Sequence, residues 1–194
     1  RVLDGLFSLA ERLYGIRVKE VPARQSLSGI PAGESAGAVE VWHPDVRFFT
    51  IDDGNGNRLG SFYLDLFSRS NKRAGAWMNT LDTGSPSTPE TPGKPRLGMV
   101  CLNIHPPAAG DTVILSHREV RTLFHEFGHL LHLMFTRVSI PSLAGTSVPR
   151  DFVEVPSQFM ENWCWRPDVL KSFARHERTG LPIPEEMLNS LDAS

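Results

Sequence analysis

His125 and His129 stand four residues apart with Glu126 beside the first, in the run Leu123-Phe124-His125-Glu126-Phe127-Gly128-His129-Leu130-Leu131-His132. On a helix, side chains four apart share a face, so both imidazoles can reach a single ion. Glu126 then sits one step round, near that ion without being forced onto it. This is the H-E-x-x-H pattern, in which two neutral imidazoles hold zinc and the glutamate acts as a general base. At the His and Glu frequencies of this chain, the pattern arises by accident in roughly one to two sequences per hundred. A catalytic zinc takes three protein ligands and leaves one position for water, so a third ligand must come from elsewhere.

One known extension of the pattern places Gly three residues after the second His and another His three beyond that. Those positions here hold His132 and Phe135, which excludes it. A carboxylate from a following helix is the other source, and the segment Phe152 to Trp163 offers Glu154 and Glu161. They are seven apart and near one helical face, so one could bind the metal while the other orients a ligand histidine. Spacing alone does not choose between them.

The elements that must position these residues are legible nearby. Ser116-His117-Arg118-Glu119 forms a capping box, and a helix from about His117 to about Arg137 follows, with His125 and His129 in its middle. Leu123, Phe124, Phe127, Leu130, Leu131 and Met134 would hold it against a core. Upstream, apolar residues from Leu3 to Tyr14 recur at helical spacing until Gly15. A Gly/Ser/Pro-rich stretch covers Ser26 to Gly37. Strands are expected over Ala38 to Trp42, Val46 to Ile51, Leu59 to Phe67 and Met99 to Ile104. Asp52 to Asn57 is a concentrated turn signal and joins two of these strands as a hairpin. It also mimics the opening of a calcium loop, but Arg58 replaces the required Gly and Leu64 the required Glu. Gly84 to Arg96, with four prolines, reads as an exposed loop. Trp163 and Trp165 read as packing residues.

Composition narrows the class of protein. The 194 residues suffice for one domain with a substantial core, and 40% hydrophobic with 22% charged residues argues against disorder. A net charge of −2 without a long basic run lacks the footprint of a nucleic-acid binder. The apolar segments are too short to span a membrane. Cys101 and Cys164, without C-x-x-C spacing, suggest two reduced, packed thiols and lean toward the cytoplasm, with an organelle left open. The chain begins at Arg1 rather than Met, as a processed protein or a piece of a longer one would.

Together, His125-Glu126-Phe127-Gly128-His129-x-x-His132, Phe152-Val153-Glu154-Val155-Pro156-Ser157-Gln158 and Glu161-Asn162-Trp163 resemble the M3 family of zinc oligopeptidases. The segments Lys72 to Met78 and Phe173 to His176 resemble its dipeptidyl carboxypeptidase-like members. The resemblance implies one zinc per chain held by His125, His129 and Glu154, with Glu126 as general base. His132 takes a minor place beside the site, and Glu161 and Asp151 are candidates to support the ligands. The implied substrates are short peptides. The implied fold is α+β: a mainly helical, zincin-like active-site region with a small, mostly antiparallel sheet N-terminal to the metal-binding helix, within a larger two-lobed, α-rich peptidase. Residues 1–37 would form a helix and linker, 38–115 the sheet and its loops, and 116–194 the zinc-binding helices. The family places Tyr and His residues that stabilise the transition state on a loop further downstream than Ser194. A non-catalytic zinc-binding fragment is therefore the alternative reading. For substrate pairing, Met99 to Ile104 is the candidate edge strand, unless it is a buried central one.

Overall fold

The computed structural model describes residues 1–25, 38–86, 91–108 and 111–192. The Gly/Ser/Pro-rich stretch 26–37 lies outside the described residues. Helix α1, Val2–Tyr14, ends at Gly15, whose N–H bonds the Glu11 carbonyl. Its apolar stripe, with Leu6, Leu9 and Ala10 buried, faces a sheet rather than solvent.

That sheet has five strands in the order β1 (Arg17–Val21), β4 (Arg47–Asp52), β5 (Arg58–Phe67), β7 (Arg96–Ile104) and β6 (Trp77–Asp82). β5 and β7 run parallel, while every other neighbouring pair is antiparallel. Two short strands, β2 (Ala23–Gln25) and β3 (Val39–Val41), pair separately and in parallel. The β4–β5 hairpin turns at Asp53, whose carboxylate accepts from the backbone N–H groups of Asn55 and Asn57 and from the Asn57 side chain. Those oxygens are engaged by the loop's own donors, as a hairpin turn requires.

The architecture is mixed α and β with a mostly antiparallel sheet. The sheet is larger than expected, because β1 falls inside the segment read as helix and linker and β6 was not expected as a strand at all. The loop expected over Gly84 to Arg96 carries a bridge between Ser85 and Lys94, and Arg96 itself is buried as the first residue of β7. β7 also lies between β5 and β6, so Met99 to Ile104 is central; the sheet edge on that side is β6.

One apolar cluster joins the elements. Phe7 of α1, Phe49 of β4, Phe62 of β5 and Phe127 of helix α2 (His117–Met134) meet edge-on or tilted, apart from the stacked Phe49–Phe62 pair, with ring centres 5.2–6.4 Å apart. The capping box forms as the sequence specifies: the Ser116 hydroxyl accepts from the Glu119 N–H, and the Glu119 carboxylate accepts from the Ser116 N–H at 2.8 Å. α2 packs on β6 and β7 on one side and on helix α4 (Val155–Glu161) on the other.

The segment expected as one helix from Phe152 to Trp163 is broken. Helix α3 (Arg150–Val153) stops at Glu154, α4 starts at Val155, and a 3-10 turn covers Asn162–Trp165. Pro156 in the first turn of α4 has no N–H to continue the preceding helix. Helices α5 (Pro167–Phe173) and α6 (Glu185–Asp192) follow, with Val169, Leu170, Phe173 and Leu188 adding to the core.

Candidate metal centre

Each expected ligand reaches the site by a different structural device. The His125 and His129 rings project from α2 with centres 4.8 Å apart and planes nearly perpendicular. Glu154 arrives at the break between α3 and α4. Its Oε2 lies 3.2 Å from Nε2 of His125 and 3.2 Å from Nε2 of His129. Among the described residues, these three form the single group of histidine, cysteine or acidic side chains able to share an ion, their ligand atoms lying within 4.8 Å of one another.

The close approach of α4 to α2 depends on Gly128. A Cβ there would lie 2.6 Å from the Ser157 Cα and 2.7 Å from the Pro156 carbonyl oxygen. Without a side chain at this point, α4 settles against the metal helix and carries Glu154 to the two imidazoles. The buried Ser157 hydroxyl fixes that carboxylate further, donating to Oε2 at 2.8 Å.

Glu161 lies at the end of α4 and meets His125 from behind. The His125 Nδ1 and Glu161 Oε1 are 2.6 Å apart, and the other Glu161 oxygen is 3.3 Å from Arg121 Nε. A proton on Nδ1 shared with this carboxylate leaves Nε2 with its lone pair toward Glu154. The two glutamates that spacing could not separate are thus on opposite sides of one imidazole.

Electrostatics follow from burial. Glu126 is 6% exposed, and its pKa is raised chiefly by desolvation and secondarily by the Glu154 charge, while His125 and the Met78 backbone N–H pull it down. Desolvation also lowers the pKa of His129, favouring the neutral imidazole that a metal needs. Burial works against the Glu154 charge, but the Ser157 hydroxyl and the two histidines outweigh it and hold the carboxyl below its ordinary value.

The donor set fits zinc. Two ligands about 2.1 Å from a tetrahedral zinc lie about 3.4 Å apart, close to the 3.2 Å that separates the Glu154 oxygen from each imidazole nitrogen. His132 points elsewhere, its ring 6.1 Å from that of Phe152 and on an apolar groove of about 500 Å³. Asp151 is exposed in the first turn of α3. Cys101 and Cys164 are free and buried, with burial pushing their thiols up to about 11 and about 12, so both are inert packing groups. Trp165 packs on the His117 ring at 4.5 Å, and Trp163 lies against the core. Sequence reasoning did not single out Met78 for its amide, because the edge strand it belongs to was not expected as a strand.

A helix bearing two imidazoles and a buried carboxylate, met by a glutamate at the break between the next two helices, has the layout of the metal-dependent hydrolases with an H-E-x-x-H helix. The model described as Peptidase family M3 matches residues 1–194, and the chain belongs to this family. It is 44% identical over 195 residues to oligopeptidase A of Escherichia coli (strain K12), covering 100% of this chain and 26% of that protein. It is 42% identical over 199 residues to the organellar oligopeptidase A, chloroplastic/mitochondrial, of Arabidopsis thaliana, covering 100% of this chain and 23% of the relative. Dipeptidyl carboxypeptidase of Escherichia coli (strain K12) is 41% identical over 184 residues, 95% of this chain and 24% of the relative. The chain therefore spans about a quarter of the length of these relatives. Among the described residues, no helix is long and apolar enough to cross a membrane.

Proposed function

We propose that this chain carries the metal centre of a zinc peptidase that hydrolyses peptide bonds in short peptides. The observation that carries the reading is the convergence of His125 Nε2, His129 Nε2 and one Glu154 oxygen beside the buried carboxylate of Glu126. His125, His129 and Glu154 would hold the ion. When bound, zinc supplies a Lewis acid that acidifies a water and polarises the scissile carbonyl.

Glu126 is placed to act as general base. Its carboxylate takes a proton from the water as the water oxygen bonds to the carbonyl carbon. The same proton passes to the amide nitrogen as the C–N bond breaks, so the amine departs neutral and the carboxylate is restored. Desolvation of Glu126 supports the second transfer as much as the first, because a raised pKa makes the protonated form a usable acid during turnover.

β6 is placed to hold the substrate. Among the described residues it pairs only with β7, and its Met78 N–H faces Glu126. An extended peptide adding to that edge would bring its backbone past the general base. Recognition through main-chain bonds suits substrates of varied sequence.

Zinc titration of the metal-stripped full-length polypeptide tests the centre. One equivalent should bind tightly, and His129→Ala should lose that site while keeping its fold by circular dichroism. Undiminished zinc binding in His129→Ala would remove the basis of the reading.

A further inference from the structure

The proposed peptide-binding edge is held from the side by polar groups that are not part of the candidate metal centre. Segment 68–76 leaves β5, passes the carboxyl end of β7 and enters β6 at Trp77, which pairs with Cys101. An edge strand has a partner on one side only, so its position depends on what secures its ends. Two side chains secure this one. The Asn103 amide, at the end of β7, donates to the carbonyl of Arg73 at 2.8 Å and to that of Gly75 at 2.6 Å. Two carbonyl partners settle which atom of the amide is nitrogen. Gly75 has φ +96°, a turn that other side chains rarely take, and it lies two residues before the strand.

The second anchor is the Lys72 ammonium, whose side chain is 3% exposed. It donates to the carbonyls of Asp65 at 2.8 Å, Phe67 at 2.9 Å and Leu102 at 2.5 Å, and to the Asp65 carboxylate at 2.9 Å. Asp65 in turn accepts a paired contact from Arg69 at 2.7 and 2.8 Å and one from the Trp42 indole at 3.1 Å. A buried charge is tolerated only when paired and hydrogen-bonded, and here its partners belong to the ends of β5 and β7. The ammonium thus staples the crossover to both strands that flank its path.

We propose that Asn103 and Lys72 are positioning residues for substrate: they fasten the 68–76 crossover to the ends of β5 and β7 and so fix where β6 presents its free edge beside Glu126. The proposal rests on the reading that a peptide pairs with β6. It assigns these residues an effect on substrate binding, not on metal binding.

Asn103 is only partly buried, so Asn103→Ala should fold. In the zinc-loaded full-length polypeptide, this variant should raise KM for a quenched fluorescent peptide about tenfold with kcat within about twofold. Asn103→Gln, which keeps the amide donor, should recover part of the loss, and hydrogen exchange of the β6 amides should quicken in the alanine variant. Lys72→Met, if it folds and binds zinc, should show the same split between KM and kcat. Wild-type KM in Asn103→Ala overturns the proposal, as does a loss confined to kcat or to zinc content. The underlying peptidase reading fails separately: it falls if Glu126→Gln keeps full turnover, whatever Asn103→Ala does.

Discussion

At the scale of single residues, His125 and its two glutamates explain how one helix and a broken one bring together the proposed ligand set. Glu161 holds Nδ1, so Nε2 is the nitrogen turned toward Glu154. Glu154 contributes the oxygen shared by both imidazoles. Removing a ligand and removing a ligand's support have different consequences. Glu161→Gln should weaken zinc binding about 10- to 100-fold, whereas Glu154→Gln should weaken it far more. Competitive titration against a chromophoric chelator measures both, and the reverse order would reassign the third ligand. His125, Glu126 and His129 were legible in the sequence because helix geometry alone aligns them. The choice of Glu154 over Glu161 was not legible from spacing, since both lie within reach of the same face; resemblance favoured Glu154, and its position at the helix break is a tertiary outcome.

At the scale of elements, the decisive contact is between α2 and α4. Gly128 faces Ser157 and Pro156 so closely that a methyl group must push the helices apart. Gly128→Ala should destabilise the fold by about 1–3 kcal/mol. It should also weaken zinc binding, because the displaced helix carries Glu154 and Glu161; thermal unfolding and zinc titration on one preparation check both. A variant with normal zinc affinity would show that the carboxylates are not placed by this contact. α1, by its periodicity, and α2, by its periodicity and capping box, were readable from sequence, although α2 ends at Met134, three residues short of the expected Arg137. Besides the short β2, the strands that escaped notice are β1 and β6, the two edges of the main sheet. Arg17-Val18-Lys19-Glu20-Val21 and Trp77-Met78-Asn79-Thr80-Leu81-Asp82 carry the polar and charged residues that edge strands need, so neither shows an apolar run. β7 was readable as a strand, but its central position depends on which strand lies beyond it.

At the scale of the whole molecule, the sheet and helices share one apolar core, with a buried charge cluster at the far ends of β5 and β7. Burial works to raise the pKa of Asp65, but bonds from Arg69, Lys72 and Trp42 and the Lys72 charge outweigh it and hold the carboxyl at about 2, against an ordinary 3.8. A depressed carboxyl contributes stability that is fully present above its unfolded pKa and is lost as pH falls through the folded one. Asp65 therefore contributes about 2 kcal/mol at neutral pH, fading between about pH 4 and pH 2. Asp65→Asn should cost at least that much at pH 7 by denaturant unfolding, and the gap to wild type should narrow below about pH 4. A gap independent of pH would mean that the carboxylate's charge is not what stabilises this corner. Sequence periodicity could not reveal the cluster, because Asp65 and Lys72 meet only after the chain turns back over β7. Apolar side chains also remain exposed along one flank, where Val155 and Phe159 of α4 line the groove beside His132.

The central claim, that Glu126 moves the proton in a zinc-dependent hydrolysis, is tested most directly by turnover of a quenched fluorescent peptide with the zinc-loaded full-length polypeptide and its Glu126→Gln variant. Zinc content should be equal in the two, and kcat should be lower by about 10²–10⁴ in the variant. Wild-type kcat in a Glu126→Gln variant holding a full equivalent of zinc would contradict it.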